Sequence, residues 1–356
     1  MSVDDTPLAR SSAAAGDVHA PAADRPGALP WQRTMLASLF ARRAQWPHAL
    51  LVTGPAGIGK RILAEALAGA LLCEAPRGDA SACGGCPGCR YVAAGQHPDL
   101  RIVEPVEIDE DEVKSVEWIS VDRIRALIRW AEITSHRGGA KVALIVPAER
   151  MNEAAANALL KTLEEPPPST YLMLVSHQPG RLPPTIVSRC VRLAVPPPPG
   201  DEALAWLTAE GVREPAALLG QAQGAPLRAL ALADPGYQAE RAAWLAALAT
   251  PRALSPVALS ARIDAAPRDE RKLRLAAAID WLLLWTADIA ASASGAAPVH
   301  NVDFADRLAA LGRSVARISL FRYHRALLDQ RALLAHPLQP RLVAEALLID
   351  YRALFE

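Results

Sequence analysis

The chain has 356 residues, 51% of them hydrophobic, with 38 basic and 38 acidic side chains and no net charge. That length predicts two or three domains with sizeable cores, and the neutral totals show no strongly basic stripe of a stand-alone nucleic-acid binder. Five cysteines, an odd number, argue against a disulfide framework and for a reducing, cytoplasmic compartment.

Residues 1–29 are rich in Ala, Pro, Ser and Asp, with no apolar stretch of signal-peptide length, and are expected to be disordered. From about residue 30 to 195 the pattern alternates strand and helix. Residues 49–53 form a short apolar run ending in Gly-Pro, a buried-strand signal, and residues 62–72 then repeat apolar side chains at helical spacing. Further buried strands are predicted over 100–103, 142–146 and 171–175. Asn152 is placed to cap a helix running to Leu163, which Glu165-Pro166-Pro167-Pro168 stops. Strands alternating with helices imply an α/β domain: a parallel sheet with helices on both faces.

Composition shifts after Val195. Pro196–Pro199 and Gly200 read as a stiff linker over 196–200. Beyond it the chain is rich in Ala and Leu at helical spacing. The break near 220–236 divides a small helical domain over 201–236 from an all-α domain over 237–356. Residues 275–284 are the most apolar later segment; the run is short and carries Asp280, which argues against a membrane span. Trp244, Trp281, Trp285 and Phe321 are read most simply as helix-core contacts.

Gly54-Pro-Ala-Gly57-Ile-Gly59-Lys60-Arg61 follows a predicted strand and opens a predicted helix, the context of a phosphate loop. Gly54, Gly57 and Gly59 let backbone N–H groups turn toward phosphate, the helix N-terminus adds partial positive charge, and Lys60 would neutralise the β- and γ-phosphates. Position 61 should carry a Ser or Thr hydroxyl for Mg²⁺. Arg61 offers no oxygen ligand and repels the ion. The strand at 142–146 should end in an acidic pair, where Val146 and Pro147 stand instead. No Mg²⁺ site is therefore expected. Three readings remain: a non-hydrolytic ATP or ADP site, a relic loop that binds nothing, or an active ATPase using Glu149.

Cys73 is followed by Cys83, Cys86 and Cys89, the last three spaced by two residues with Gly84, Gly85, Pro87 and Gly88 between them. Tight turns of this kind aim three sulfurs at one point, and Cys73 supplies a fourth. Four thiolates leave no open coordination position, so the site reads as structural Zn²⁺. His97 is a less favoured ligand, because four sulfurs already fill the shell.

Asn157-Ala-Leu-Leu-Lys161-Thr-Leu-Glu-Glu165-Pro-Pro and Ser188-Arg189-Cys190 resemble the bacterial clamp-loader family of AAA+ proteins. The similarity is specific from about 30 to 198 and looser beyond, where Asn301-Val302-Asp303 also matches. The cysteine insert and the degraded Mg²⁺ elements point to the stator type of subunit within that family. The resemblance implies an AAA+ domain over 30–195 with the zinc module at 73–89, a helical lid over 201–236 and a collar over 237–356 that builds a pentamer. It implies gamma/tau-type motor subunits and a delta subunit as partners, and the sliding clamp and primer–template DNA through the complex, in the nucleoid-associated replisome. Arg189 would act as an arginine finger in the ATP site of a neighbouring subunit, where an added cation is worth roughly 10³–10⁵ in rate in other NTPases. Arg228 matches the lid arginine that senses γ-phosphate in active relatives; its alternative is a structural lid contact. The competing functions are a self-sufficient AAA+ ATPase and a DNA-binding module built on the cysteine knuckle. Only Arg77 and Arg90 flank that knuckle, which counts against DNA binding.

Overall fold

The computed structural model describes residues 28–42, 45–79, 81–109, 112–115, 118–334 and 339–356, with backbone alone over 106–109 and 112–115. The expected disordered extension lies, up to residue 27, outside the described residues. Leu29, assigned to that extension by its sequence, is instead buried. The described residues divide into two compact units, 28–202 and 203–356.

The first unit is built on a parallel sheet of β1 (Ala49–Thr53), β2 (Leu100–Val103), β5 (Lys141–Ile145), β6 (Thr170–Ser176) and β7 (Val191–Ala194). Its strand order is β2-β5-β6-β1-β7. Every residue of β1 and β5 is buried, and their apolar stretches over 49–52 and 142–145 suit strands covered on both faces. A separate antiparallel hairpin, β3 (Val106–Asp109) and β4 (Glu112–Ser115), was not visible in the sequence pattern. Helices α1 (Arg33–Phe40), α2 (Lys60–Leu72), α3 (Pro87–Ala93), α4 (Val121–Glu132), α5 (Glu153–Glu164) and α6 (Pro184–Val187) complete the unit. The α5 boundary follows from capping: the Asn152 side chain accepts the Ala155 N–H at 2.8 Å, and the prolines after Glu165 end the helix. Leu159 and Leu163 of α5 and Ile124 and Leu127 of α4 join Leu51, Ile145 and Leu174 of the sheet in one core.

The second unit is all-helical, from α7 (Gly200–Ala209) through α8 (Pro215–Gln221), α9 (Pro226–Leu232), α10 (Pro235–Leu248) and α11 (Pro256–Asp264). It continues through α12 (Arg271–Ala293), α13 (Ala305–Ser314), α14 (Arg317–Leu333) and α15 (Pro340–Ala353). Among the described residues lie a small apolar cluster on α7–α9 and a large one centred on α12. At 23 residues, α12 is much longer than the apolar run seen in the sequence. It is long and apolar enough by composition to cross a bilayer. Leu275, Ile279, Trp281, Leu282, Trp285 and Ile289 instead form the centre of the helical core. The indole N–H of Trp285 donates to Tyr351 Oη at 2.8 Å, and Tyr351 Oη donates onward to the Leu248 carbonyl at 2.8 Å, so the largest buried rings keep their polar atoms paired. Trp244 and Trp281 are buried with them, whereas Phe321 is 60% exposed on α14.

Candidate functional site

The phosphate loop connects β1 to α2. Gly57 and Gly59 have φ values of 78° and 89°, the left-handed region that only glycine enters without strain. Gly59 also has no room for a side chain: a Cβ there would lie 2.3 Å from Leu29 Cδ1 and 2.9 Å from Gln32 Nε2. The segment before α1 closes over the loop. Gln32 Nε2 donates to the Gly59 carbonyl at 2.8 Å, and Trp31 Nε1 donates to the Ile58 carbonyl at 3.2 Å. Lys60 is 1% exposed, and its Nζ donates to the Pro55 carbonyl at 2.5 Å, inside the loop itself.

Arg61 stands where a Mg²⁺-binding hydroxyl is expected. Its Nε donates to Glu65 Oε1 at 2.7 Å, and its two terminal nitrogens face the two oxygens of Glu104, just past β2. Burial works against the guanidinium charge, but Glu65 and Glu104 outweigh it and hold the pKa above its ordinary value. Val146 is buried at the end of β5, and Pro147 follows it. Glu149 is also buried; its Oε1 accepts the His177 and Gln178 N–H groups at 2.9 and 3.1 Å. That carboxylate thus ties the turn after β5 to the end of β6.

Cys73, Cys83, Cys86 and Cys89 converge, with all four Sγ atoms within 4.8 Å of one another. Cys73 and Cys86 are 3.9 Å apart, and Cys83 and Cys89 3.8 Å. Tetrahedral Zn²⁺ with Zn–S bonds of about 2.3 Å requires S···S separations of about 3.8 Å. Backbone N–H groups already point at the sulfurs: those of Cys83, Cys86 and Cys89 donate to Cys73, Cys83 and Cys86 at 3.3, 3.4 and 3.4 Å. At Cys86 burial opposes the thiolate, but the N–H groups and neighbouring thiols prevail and lower its pKa to about 6. Burial pushes Cys89 up to about 12. The donor set and its spacing fit Zn²⁺. His97 is engaged elsewhere, its Nδ1 accepting the Asp99 N–H at 3.1 Å. The module is fastened to the sheet domain through Arg137, which pairs with Glu74 and lies 5.4 Å from the centre of the Tyr91 ring.

Arg189 follows α6. Its Nε donates to Glu164 Oε1 at 2.6 Å, and its Nη2 also meets that oxygen. Its Nη1 donates to the Thr185 carbonyl at 3.0 Å and to Ser188 Oγ at 3.4 Å. Cys190, beside it, packs against the core, and burial raises its thiol to about 11.

In the second unit Arg228 of α9 pairs with Asp280 of α12 at 3.5 Å, and Arg331 of α14 reaches the same carboxylate at 2.8 Å. Arg228 therefore has a charged partner within its own unit.

A family model described as DNA polymerase III, delta subunit, matches residues 33–199. DNA polymerase III subunit delta' of Pseudomonas aeruginosa is 43% identical over 266 residues, which cover 73% of this chain and 76% of that protein. The chain belongs to the delta-prime family of DNA polymerase III subunits. The delta' subunit of Escherichia coli K12 is 34% identical over 296 residues, covering 81% of this chain and 83% of that protein. DNA polymerase III subunit tau of the same organism is 37% identical over 145 residues, 41% of this chain and 21% of its own length.

In this delta-prime chain, sequence reasoning missed the carboxylates that Arg61 and Arg189 meet. Glu104 lies 43 positions from Arg61, and Glu164 lies 25 from Arg189. Neither spacing follows a helical or strand period. Glu164 did lie within the Leu-Glu-Glu-Pro motif that carried the resemblance. The other missed group is Asp288, 2% exposed, which accepts the N–H groups of Val299, His300 and Asn301 and the side-chain amide of Asn301. The Asn301-Val302-Asp303 motif was its signal.

Proposed function

We propose that this chain is the stator subunit of a clamp loader: it helps place the sliding clamp on primed DNA and does not itself hydrolyse ATP. The observation that carries this reading is Arg61, tied to Glu65 and Glu104 where the Mg²⁺-binding hydroxyl of an active site is expected. Phosphoryl transfer rests on the metal and on positioned charge. A fixed guanidinium with two carboxylates supplies no metal ligand set of that kind, and Val146-Pro147 adds none. Gly54, Gly57, Gly59 and Lys60 keep the backbone of a phosphate site, while Lys60 bonds within its own loop. A nucleotide held there would serve structure rather than turnover.

Arg189 is the residue offered to a neighbouring motor subunit of the gamma/tau type. It supplies a cation to a γ-phosphate held by that neighbour, so catalysis happens across the subunit boundary. Cys73, Cys83, Cys86 and Cys89 hold one structural Zn²⁺, which would cross-link the insert after α2. Arg228 acts as a strut between lid (201–236) and collar (237–356) through Asp280. The collar carries apolar side chains on its outer helix faces: Ile318, Phe321 and Leu328 on α14, and Leu342 and Ile349 on α15. Faces of this kind suit helix packing between subunits, here the motor and delta subunits. The assembly works in the cytoplasm at the replisome.

Two assays test the reading. A loader reconstituted with and without this chain should load clamps on primed DNA only when it is present. ATP turnover by the isolated chain should stay at background and be unaffected by Lys60→Ala. Clamp loading that proceeds without the chain, or isolated turnover abolished by Lys60→Ala, would overturn it.

A further inference from the structure

The guanidinium of Arg189 does not point into open solvent. Nε and Nη2 meet Glu164, and Nη1 is shared between the Thr185 carbonyl and Ser188 Oγ. Every nitrogen of the group is therefore engaged by its own chain. Glu164 is an unexpected residue for that place. It is the last residue of α5, where the carbonyl end of the helix dipole disfavours a carboxylate. The guanidinium of Arg189 offsets this cost. Both side chains are partly exposed, at 32% and 49%. An ion pair in such a setting is weak and exchangeable.

We propose that Glu164 is a parking partner for Arg189: it holds the finger against its own subunit until a neighbour presents a polyphosphate. This rests on the reading of Arg189 as a finger acting in trans. A guanidinium bonded to Glu164, Thr185 and Ser188 has committed all but one of its five N–H donors. To grip a phosphate on another subunit with two parallel N–H donors, Nε and Nη2 must leave the carboxylate. A nucleoside triphosphate, with several negative charges, competes with one carboxylate in a solvent-screened site. Exchange of one charge-assisted contact for another then makes finger engagement depend on the neighbour being loaded. Glu164 is a positioning residue in this scheme and touches no substrate.

The test uses the fully assembled loader, with clamp and primed DNA present and ATP varied. Glu164→Gln keeps the shape and a hydrogen-bonding oxygen but removes the charge. The expected result is a lower KM for ATP or a higher kcat, by at most about fivefold, the ceiling for an exposed ion pair. The gain should shrink as salt rises, because screening weakens the parked pair in the wild-type chain. In an Arg189→Ala background Glu164→Gln should have no effect. Arg189→Ala lowering the rate while Glu164→Gln leaves it unchanged or lowers it would overturn the parking role and leave the finger standing. A Glu164→Gln effect that persists without Arg189 would also overturn parking. If Arg189→Ala itself leaves the rate unchanged, the finger reading fails and parking fails with it.

Discussion

The guanidinium of Arg61 grips the carboxylate of Glu104, joining the first turn of α2 to the end of β2. Glu65, one turn along α2, takes the Nε. The pair is only partly exposed, so removing the cation leaves two carboxylates close together without their counter-charge. Arg61→Ala should destabilise the first unit by roughly 1–3 kcal/mol, read as a lower denaturation midpoint. Arg61→Thr restores a hydroxyl but no acidic pair after β5. ATP turnover by the isolated chain should stay at background in both variants, with or without Mg²⁺.

Metal analysis of the purified chain should find about one zinc per molecule, and Cys86→Ser should lower that content. Zinc ligation requires four thiolates, so uptake releases protons and affinity should fall as pH falls. Metal-free protein should expose the cysteines to thiol reagents. Cys86, at about 6, should react first, and Cys89, at about 12, last.

Asp288 collects the backbone of residues 299–301 onto α12, and Asn301 Oδ1 in turn accepts Arg241 Nη2 at 2.7 Å. His300 Nδ1 lies 2.8 Å from the Gly220 carbonyl, so the same loop touches α8 of the small helical cluster. Asp288→Ala removes the acceptor from several N–H groups at once. A loss of about 3 kcal/mol or more is expected in a denaturant titration. Faster amide exchange in α8 should accompany it.

Glu240 gives a pH signature. Burial alone would raise its pKa, but Arg262, which clasps both oxygens at 3.0 and 2.6 Å, and Trp244 Nε1 hold it below the ordinary 4.5. The folded value lies below the unfolded one. The stabilisation is therefore complete above the ordinary value and is lost as pH falls through the folded one. Glu240→Gln should cost about 0.5–1 kcal/mol at neutral pH. The gap from wild type should close in acid; a gap that stays constant down to pH 3 would contradict the assignment.

What was legible in the sequence follows periodicity and local chemistry. The runs at β1 and β5, the Asn152 cap, the phosphate loop and the cysteine cluster all depend on residues near each other in the chain. The sequence also placed Arg61 where a metal-binding hydroxyl is expected. It could not show that Glu104 would receive the guanidinium, because that pairing depends on how β2 lies beside α2. The small hairpin β3–β4 was missed because its strands are four residues each and carry Glu, Asp and Lys. Helix α12 was underread for a different reason. Asp280 interrupts its apolar run, and only the fold reveals Arg228 and Arg331 waiting for that charge.

The central claim is that this subunit contributes an arginine to a neighbour's catalysis while hydrolysing nothing itself. The most direct measurement is clamp- and DNA-stimulated ATP hydrolysis by the reconstituted loader, wild type against Arg189→Ala, with assembly checked by size. The account predicts a large loss of stimulated rate in an intact complex, since the facing site loses a cation worth roughly 10³–10⁵ in other NTPases. An unchanged rate in an intact complex would contradict it and confine the chain to scaffolding.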